Sequence, residues 1–246
     1  MKRFIWEIAM GLSLIVISAG LFMLQVRIFH RPRDTFFYLL QDLAFLPIQV
    51  LLVTIVLEQL LILRGKQDRL RKLNMVINVF FTELGSELLK VFLGFGAIPK
   101  RLGKELLISD GWTDKNFASA ADIFSFHDLR VDAGARRLEG LRQLLLSKKD
   151  FLFTMLENPI ILEHEAFTDL LLAVSHVADE LFHRQDLSAL PEGDYAHLDG
   201  DIKRAYRLLV IEWLSYMRHL KEDYPYLFSL AVRTNPFDAH ASAIVK

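Results

Sequence analysis

The residues best suited by type to do chemistry are His176, Asp179, Glu180 and His183, gathered in one short run. Glu180-Leu181-Phe182-His183 has the Glu-x-x-His spacing that di-iron bundle proteins use to hold metal on paired helices. On a helix, His176 and His183 share a face, and a carboxylate between them could complete part of a metal site. The surrounding pattern argues the other way. Leu170, Val174, Val177 and Leu181 make one face of this helix, while Asp169, His176, Asp179, Glu180 and His183 make the opposite one. A bundle-core site points inward and needs a second Glu-x-x-His, for which Asp194-Tyr195-Ala196-His197 is the nearest imitation. The reading is a solvated face, with neither metal nor cofactor. Replacing His176 and His183 together by alanine is then expected to leave fold and metal content unchanged.

Other chemistries find less support. The chain has no cysteine, which removes disulfides, thiolate catalysis and zinc-thiolate sites together. Gly94-Phe95-Gly96-Ala97-Ile98-Pro99 falls short of a dinucleotide fingerprint, since proline replaces the third glycine and a helix precedes it. No serine-histidine-acid grouping, phosphate loop or histidine-glutamate zinc signature is present, so the expectation is a protein that is not an enzyme. The formal net charge of −1 gives no support to a nucleic-acid partner.

A different kind of signal comes from polar groups inside apolar sequence. Leu43 to Leu63 supplies about twenty mostly apolar residues, enough to cross roughly 30 Å of hydrocarbon as a helix. Glu58 lies inside it, where an ionisable group is costly. Its position near one end suits snorkelling or pairing with Lys2, Arg3 or Arg64. Asp42 and Gln49 sit one heptad apart on a shared face nearly opposite Glu58, fitting contacts between copies or a wet lumen. Arg64, Lys66, Arg69, Arg71 and Lys72 follow at once, at lipid headgroup level.

These residues need elements to position them. Spans are expected at about 5–26 and 40–63, forming a transmembrane hairpin over 1–65. Ala9, Ser13 and Gly20 give the first span a small-residue face for close helix packing. Lys2, Arg3 and the basic run outweigh Arg27, Arg31 and Arg33, which places both termini in the cytoplasm. A juxtamembrane amphipathic helix follows over 66–94, with Leu70, Leu73, Ile77, Phe80, Leu84, Leu88 and Val91 as its stripe. A cytoplasmic helical bundle then spans 95–237, and 238–246 is a flexible tail. Within the bundle, Thr113-Asp114 starts a short helix, and Asp132 caps a long one over 133–157. Asn158-Pro159 opens the next, which runs to about Gln185. Leu187 to Asp194 reads as a loop, ahead of a helix over 201–222. No segment alternates with period two, so the fold class is all-α.

Three segments carry a resemblance. Tyr38-Leu39-Leu40-Gln41-Asp42-Leu43-Ala44-Phe45-Leu46-Pro47, Asn74-Met75-Val76-Ile77-Asn78-Val79-Phe80-Phe81 and Tyr224-Pro225-Tyr226-Leu227-Phe228 resemble an uncharacterised family of prokaryotic two-span membrane proteins with a C-terminal cytoplasmic helical domain. The resemblance implies that architecture and carries no activity with it. The functional expectation is an inner-membrane protein that anchors a helical domain for self-assembly or for a cytoplasmic protein partner. The alternative is a homo-oligomeric ion channel lined by the second span, and lipid is a partner in both.

Overall fold

The computed structural model describes residues 2–29, 32–96, 100–127, 129–132 and 134–244, and all regular structure among them is helical. The chain divides into two compact units, Met1–Lys66 and Gln67–Lys246.

The first unit holds α1 (Lys2–Phe29) and the leading part of α2 (Pro32–Phe80). Met10–Ile28 and Arg33–Leu63 are long and apolar enough to cross a membrane, and the chain itself buries neither. Asp42, Gln49 and Glu58 are exposed. Thr54 returns its hydroxyl to the Val50 carbonyl at 2.7 Å, and Pro47 is carried inside α2 without ending it. The expected close packing through Ala9, Ser13 and Gly20 needs correction. Among the described residues α1 and α2 do not pack together, and a methyl at Gly20 would meet nothing within 4 Å. Ser13 instead bonds its own Met10 carbonyl. An apolar helix with no strong polar face gives its neighbour no direction to choose. The side chains of Lys2, Arg3, Ala9, Arg64 and Lys66, and all of Arg31, lie outside the described residues.

The second unit begins with the rest of α2, where Leu73, Ile77 and Phe80 are buried as the stripe predicts. A π-helical turn, Phe81–Gly85, then leads into α3 (Ser86–Leu93). Phe80, Phe81 and Leu84 are all buried at this turn. Only glycine fits at its end, since a Cβ on Gly85 would lie 2.6 Å from the Phe81 ring and 2.9 Å from that of Phe80. Phe80 meets Phe167 edge-on at 5.2 Å, and Phe81 stacks on Tyr216 at 4.7 Å. The expected juxtamembrane helix is thus part of the bundle core. Arg69, Arg71 and Lys72 are exposed, with Arg69 3.7 Å from Glu163.

Past α4 (Lys100–Lys104), α5 (Asp114–Phe126) starts at Thr113, as expected, with a reciprocal capping box to Asn116. The single helix expected over 133–157 is two, α6 (Ala135–Ser147) and α7 (Lys149–Leu156), broken at Lys148. Gly134 stands at the head of α6, and Asp132 reaches Arg137 at 2.7 Å instead of capping. Asn158 caps only the short α8 (Pro159–Leu162), and His164 then caps α9 (Glu165–His183). The largest difference is α10, which runs from Glu192 to Asp223 and so starts about nine residues before the expected 201, inside the end of the expected loop. It is the central element, packed by α3, α5, α9 and the closing α11 (Pro225–Arg233). Tyr206, Leu209, Trp213 and Met217 carry its buried surface. The segment expected to be a flexible tail turns back on α11, Ser242 donating to the Arg233 carbonyl at 2.9 Å.

Candidate metal centre

The apolar face of α9 is as the sequence has it, with Leu170, Val174, Val177 and Leu181 fully buried. Its polar face is not left to solvent alone, because α10 starts early. Pro191 precedes the first turn of α10, and Glu192 and Asp194 within that turn suit the positive end of the helix dipole. The added turns place His197 and Asp201 on a helix four residues apart, hence on one face. α9 presents His176 and Glu180 at the same spacing.

These two pairs face each other. One ligand atom from each of His176, Glu180, His197 and Asp201 lies within 4.8 Å of the other three. Asp201 Oδ2 is 3.3 Å from His176 Nε2 and 3.2 Å from His197 Nε2. Glu180 Oε1 is 3.8 Å from each of the same nitrogens. Zinc bonds of 2.0–2.1 Å in a tetrahedron give ligand separations of roughly 3.4 Å, so these edges match an ion-sized centre. Asp201 is the floor of the group, its side chain 5% exposed, and its Oδ2 has no hydrogen-bond partner among the described residues. The imidazoles stand higher, 46% exposed at His176 and 53% at His197.

With both imidazoles in the tautomer that leaves Nε2 unprotonated, four lone-pair atoms converge on one point, an arrangement that repels unless a cation enters. Protons on the histidines would relieve it, and so would a metal ion. The outer contacts favour the ion. Glu180 turns Oε1 inward and gives Oε2 to Arg184 at 2.5 Å. Asp201 turns Oδ2 inward and sets Oδ1 3.4 Å from Arg204. One oxygen inward and one on a fixed cation is how ligating carboxylates are oriented by their surroundings. Arg184 also grips Asp194 with two bonds, of 2.6 and 2.8 Å, tying the end of α9 to the first turn of α10. Its hydrogen bond holds the Glu180 carboxyl below the ordinary range against the opposing effect of burial, with the charges of Arg184, His176 and His197 adding to it. The same guanidinium lowers Asp194, and its own pKa is raised, chiefly by the Asp194 bond.

Of the residues singled out from sequence, His176 and Glu180 enter this group and His183 does not. His183 is exposed, its Nδ1 2.7 Å from the Asp179 carbonyl, and Asp179 is exposed as well. His197 and Asp201 were missed as ligands. The available signal was a repeat, His-x-x-x-Glu at 176–180 and His-x-x-x-Asp at 197–201, hidden because the second half was read as lying across a loop and a helix start. Two imidazoles with two carboxylates, and no sulfur, suit a borderline divalent ion such as zinc, iron or manganese.

Among the described residues, fold and site together define an all-helical chain in which two long apolar helices precede a helical domain bearing two facing histidine-carboxylate pairs. Family models match it twice: the MJ1433 N-terminal helical domain over residues 2–61, and the C-terminal helical domain of uncharacterized protein MJ1433 over residues 69–233. Uncharacterized protein MJ1433 of Methanocaldococcus jannaschii is 45% identical over 237 residues, which cover 96% of this chain and 94% of that one. The chain belongs to this MJ1433 family. The gap between the matched domains contains the boundary between the two compact units. No solved structure matches the chain.

Proposed function

We propose that this protein is a membrane-anchored metal-binding protein whose helical domain holds one divalent transition ion between α9 and α10. The observation that carries the proposal is Asp201 Oδ2, buried without a hydrogen bond and 3.2–3.3 Å from two imidazole nitrogens. A buried carboxylate oxygen in that position costs free energy until a cation satisfies it. The ion pins the hairpin formed by α9 and α10. The protein purified without chelator is expected to carry about one equivalent of zinc, iron or manganese per chain. His197→Ala should remove it and His183→Ala should not. Metal retained in the His197→Ala variant, or none in the wild type after reloading, overturns the proposal.

The anchor is the pair of apolar helices, with both termini cytoplasmic on the positive-inside reading. Their uncovered surfaces, and the exposed Asp42 and Gln49 within them, support self-assembly through α2. Polar groups unpaired in hydrocarbon cost several kcal/mol each, so this face meets protein or water. Single cysteines at positions 42 and 49, in a chain with none of its own, should crosslink between copies in native membranes. Labelling by a water-soluble thiol reagent without crosslinking would favour the channel. Reaction with lipid-phase probes alone would refute an oriented face.

A further inference from the structure

We infer that the cavity beside the metal centre binds a small phosphate monoester, one of whose oxygens joins the coordination of the ion. The inference rests on the metal-binding reading above. The cavity, of about 700 Å³, is lined in part by His176 of the ligand group and by Gly200, the neighbour of Asp201, and so lies beside that group. That volume is in the range of small-molecule sites.

Its chemistry is one-sided. Lys203, Arg204 and Arg207, successive on the exposed flank of α10, line it against the single carboxylate of Asp169. Arg207 is anchored, donating from one terminal nitrogen to the His127 carbonyl at 3.0 Å, while its Nε is buried with no hydrogen-bond partner. A guanidinium fixed in this way keeps its charge at the cavity wall, where an anion can meet it. Arg204 lines the same cavity and approaches the ligand Asp201 at 3.4 Å, so it bridges the anion site and the ion.

Access to the ion is open. Gly200, next to Asp201, also lines the cavity, and a Cβ there would meet nothing within 4 Å. The exposure of both imidazoles leaves the outer side of the ion uncovered, where a further ligand can add. A tetrahedral dianion accepts from forked arginine donors and from a metal at once, which a carboxylate ligand does less fully. Leu172 and Leu208 on the wall suit an ester with an apolar body over inorganic phosphate.

The test uses the full chain in detergent, loaded with cobalt(II), whose visible absorption reports its coordination. Adding phenyl phosphate should shift the absorption. Arg204→Met, at a mostly exposed position, should weaken binding about tenfold, the loss expected for one charge-assisted hydrogen-bonding partner. Binding is compared with cobalt saturating in every variant, since Arg204 also orients the ligand Asp201; helicity should be unchanged, and Gly200→Leu should weaken binding likewise by occlusion. Reconstitution into phosphatidylcholine vesicles with and without phosphatidic acid distinguishes a soluble ester from a lipid headgroup. A response to the lipid alone assigns the phosphate to a headgroup. Stoichiometric cobalt with no response to either source overturns the anion site and leaves the metal centre standing. Failure to hold cobalt overturns the metal centre and this inference with it. Equal affinity in wild type and both variants overturns the location.

Discussion

Stripping the divalent ion with a chelator is expected to lower the unfolding midpoint of the helical domain by several degrees, and returning zinc should restore it. Ligands that bind only the native state stabilise by mass action, about 2.7 kcal/mol at a free concentration 100 times Kd. In a domain of this size each kcal/mol moves the midpoint about 2–4 °C, so the shift is about 5–10 °C. The ion acts at a sensitive place, since α9 and α10 are each other's main packing partners in the bundle. Asp201→Ala and His197→Ala should melt alike with chelator, zinc or neither. A chelator shift of the same size in those variants would mean that the stabilising ion sits elsewhere.

The second large effect is at Glu212, which is 6% exposed in the middle of α10, its carboxyl pushed up to about 7 by burial. A raised carboxyl pKa means that the native state binds the proton more tightly than the unfolded chain, whose value is near 4.5. Stability from this group is therefore fully present below about 4.5 and is lost as pH rises towards about 7. Above that the whole difference, about 3 kcal/mol, counts against the folded state. Glu212→Gln keeps the shape without the charge. Thermal unfolding at pH 8 should show the variant more stable by up to that amount, with the two proteins converging towards pH 4.5. A gap between them that does not change with pH would show that the carboxyl does not carry this penalty.

What sequence made legible was whatever depends on local pattern. The apolar helices follow from composition, and the buried stripe through Leu73, Ile77 and Phe80 follows from helical periodicity. The cap at Thr113 follows from side-chain chemistry three residues apart. What stayed hidden needed tertiary information. A π turn adds a residue without any compositional mark, so nothing in the periodicity announced the one at Phe81–Gly85. Pro191 and Gly193, inside the expected loop, looked like breakers, yet proline is at home at a helix head. An interior glycine costs only about 1 kcal/mol against alanine, which the burial of Leu198 and Ile202 outweighs. Misplacing that start hid His197 and Asp201. No spacing rule on one helix could pair them with His176 and Glu180, because the coincidence lies in how two helices meet. The absence of packing between α1 and α2 was equally invisible, since a small-residue face says what a helix could accept and nothing about what arrives.

The central place of α10 so close to the end of the chain sets the timetable of biogenesis. The elements that will surround it, from the second part of α2 through α9, all leave the ribosome before it. At about 5–20 residues per second, they wait some seconds with their apolar faces unmatched. The apolar helices emerge earlier still, before the helical domain can close. Condensation must await the last quarter of the chain. The His176–Glu180 and His197–Asp201 pairs then become available almost together, on helices joined by residues 184–191.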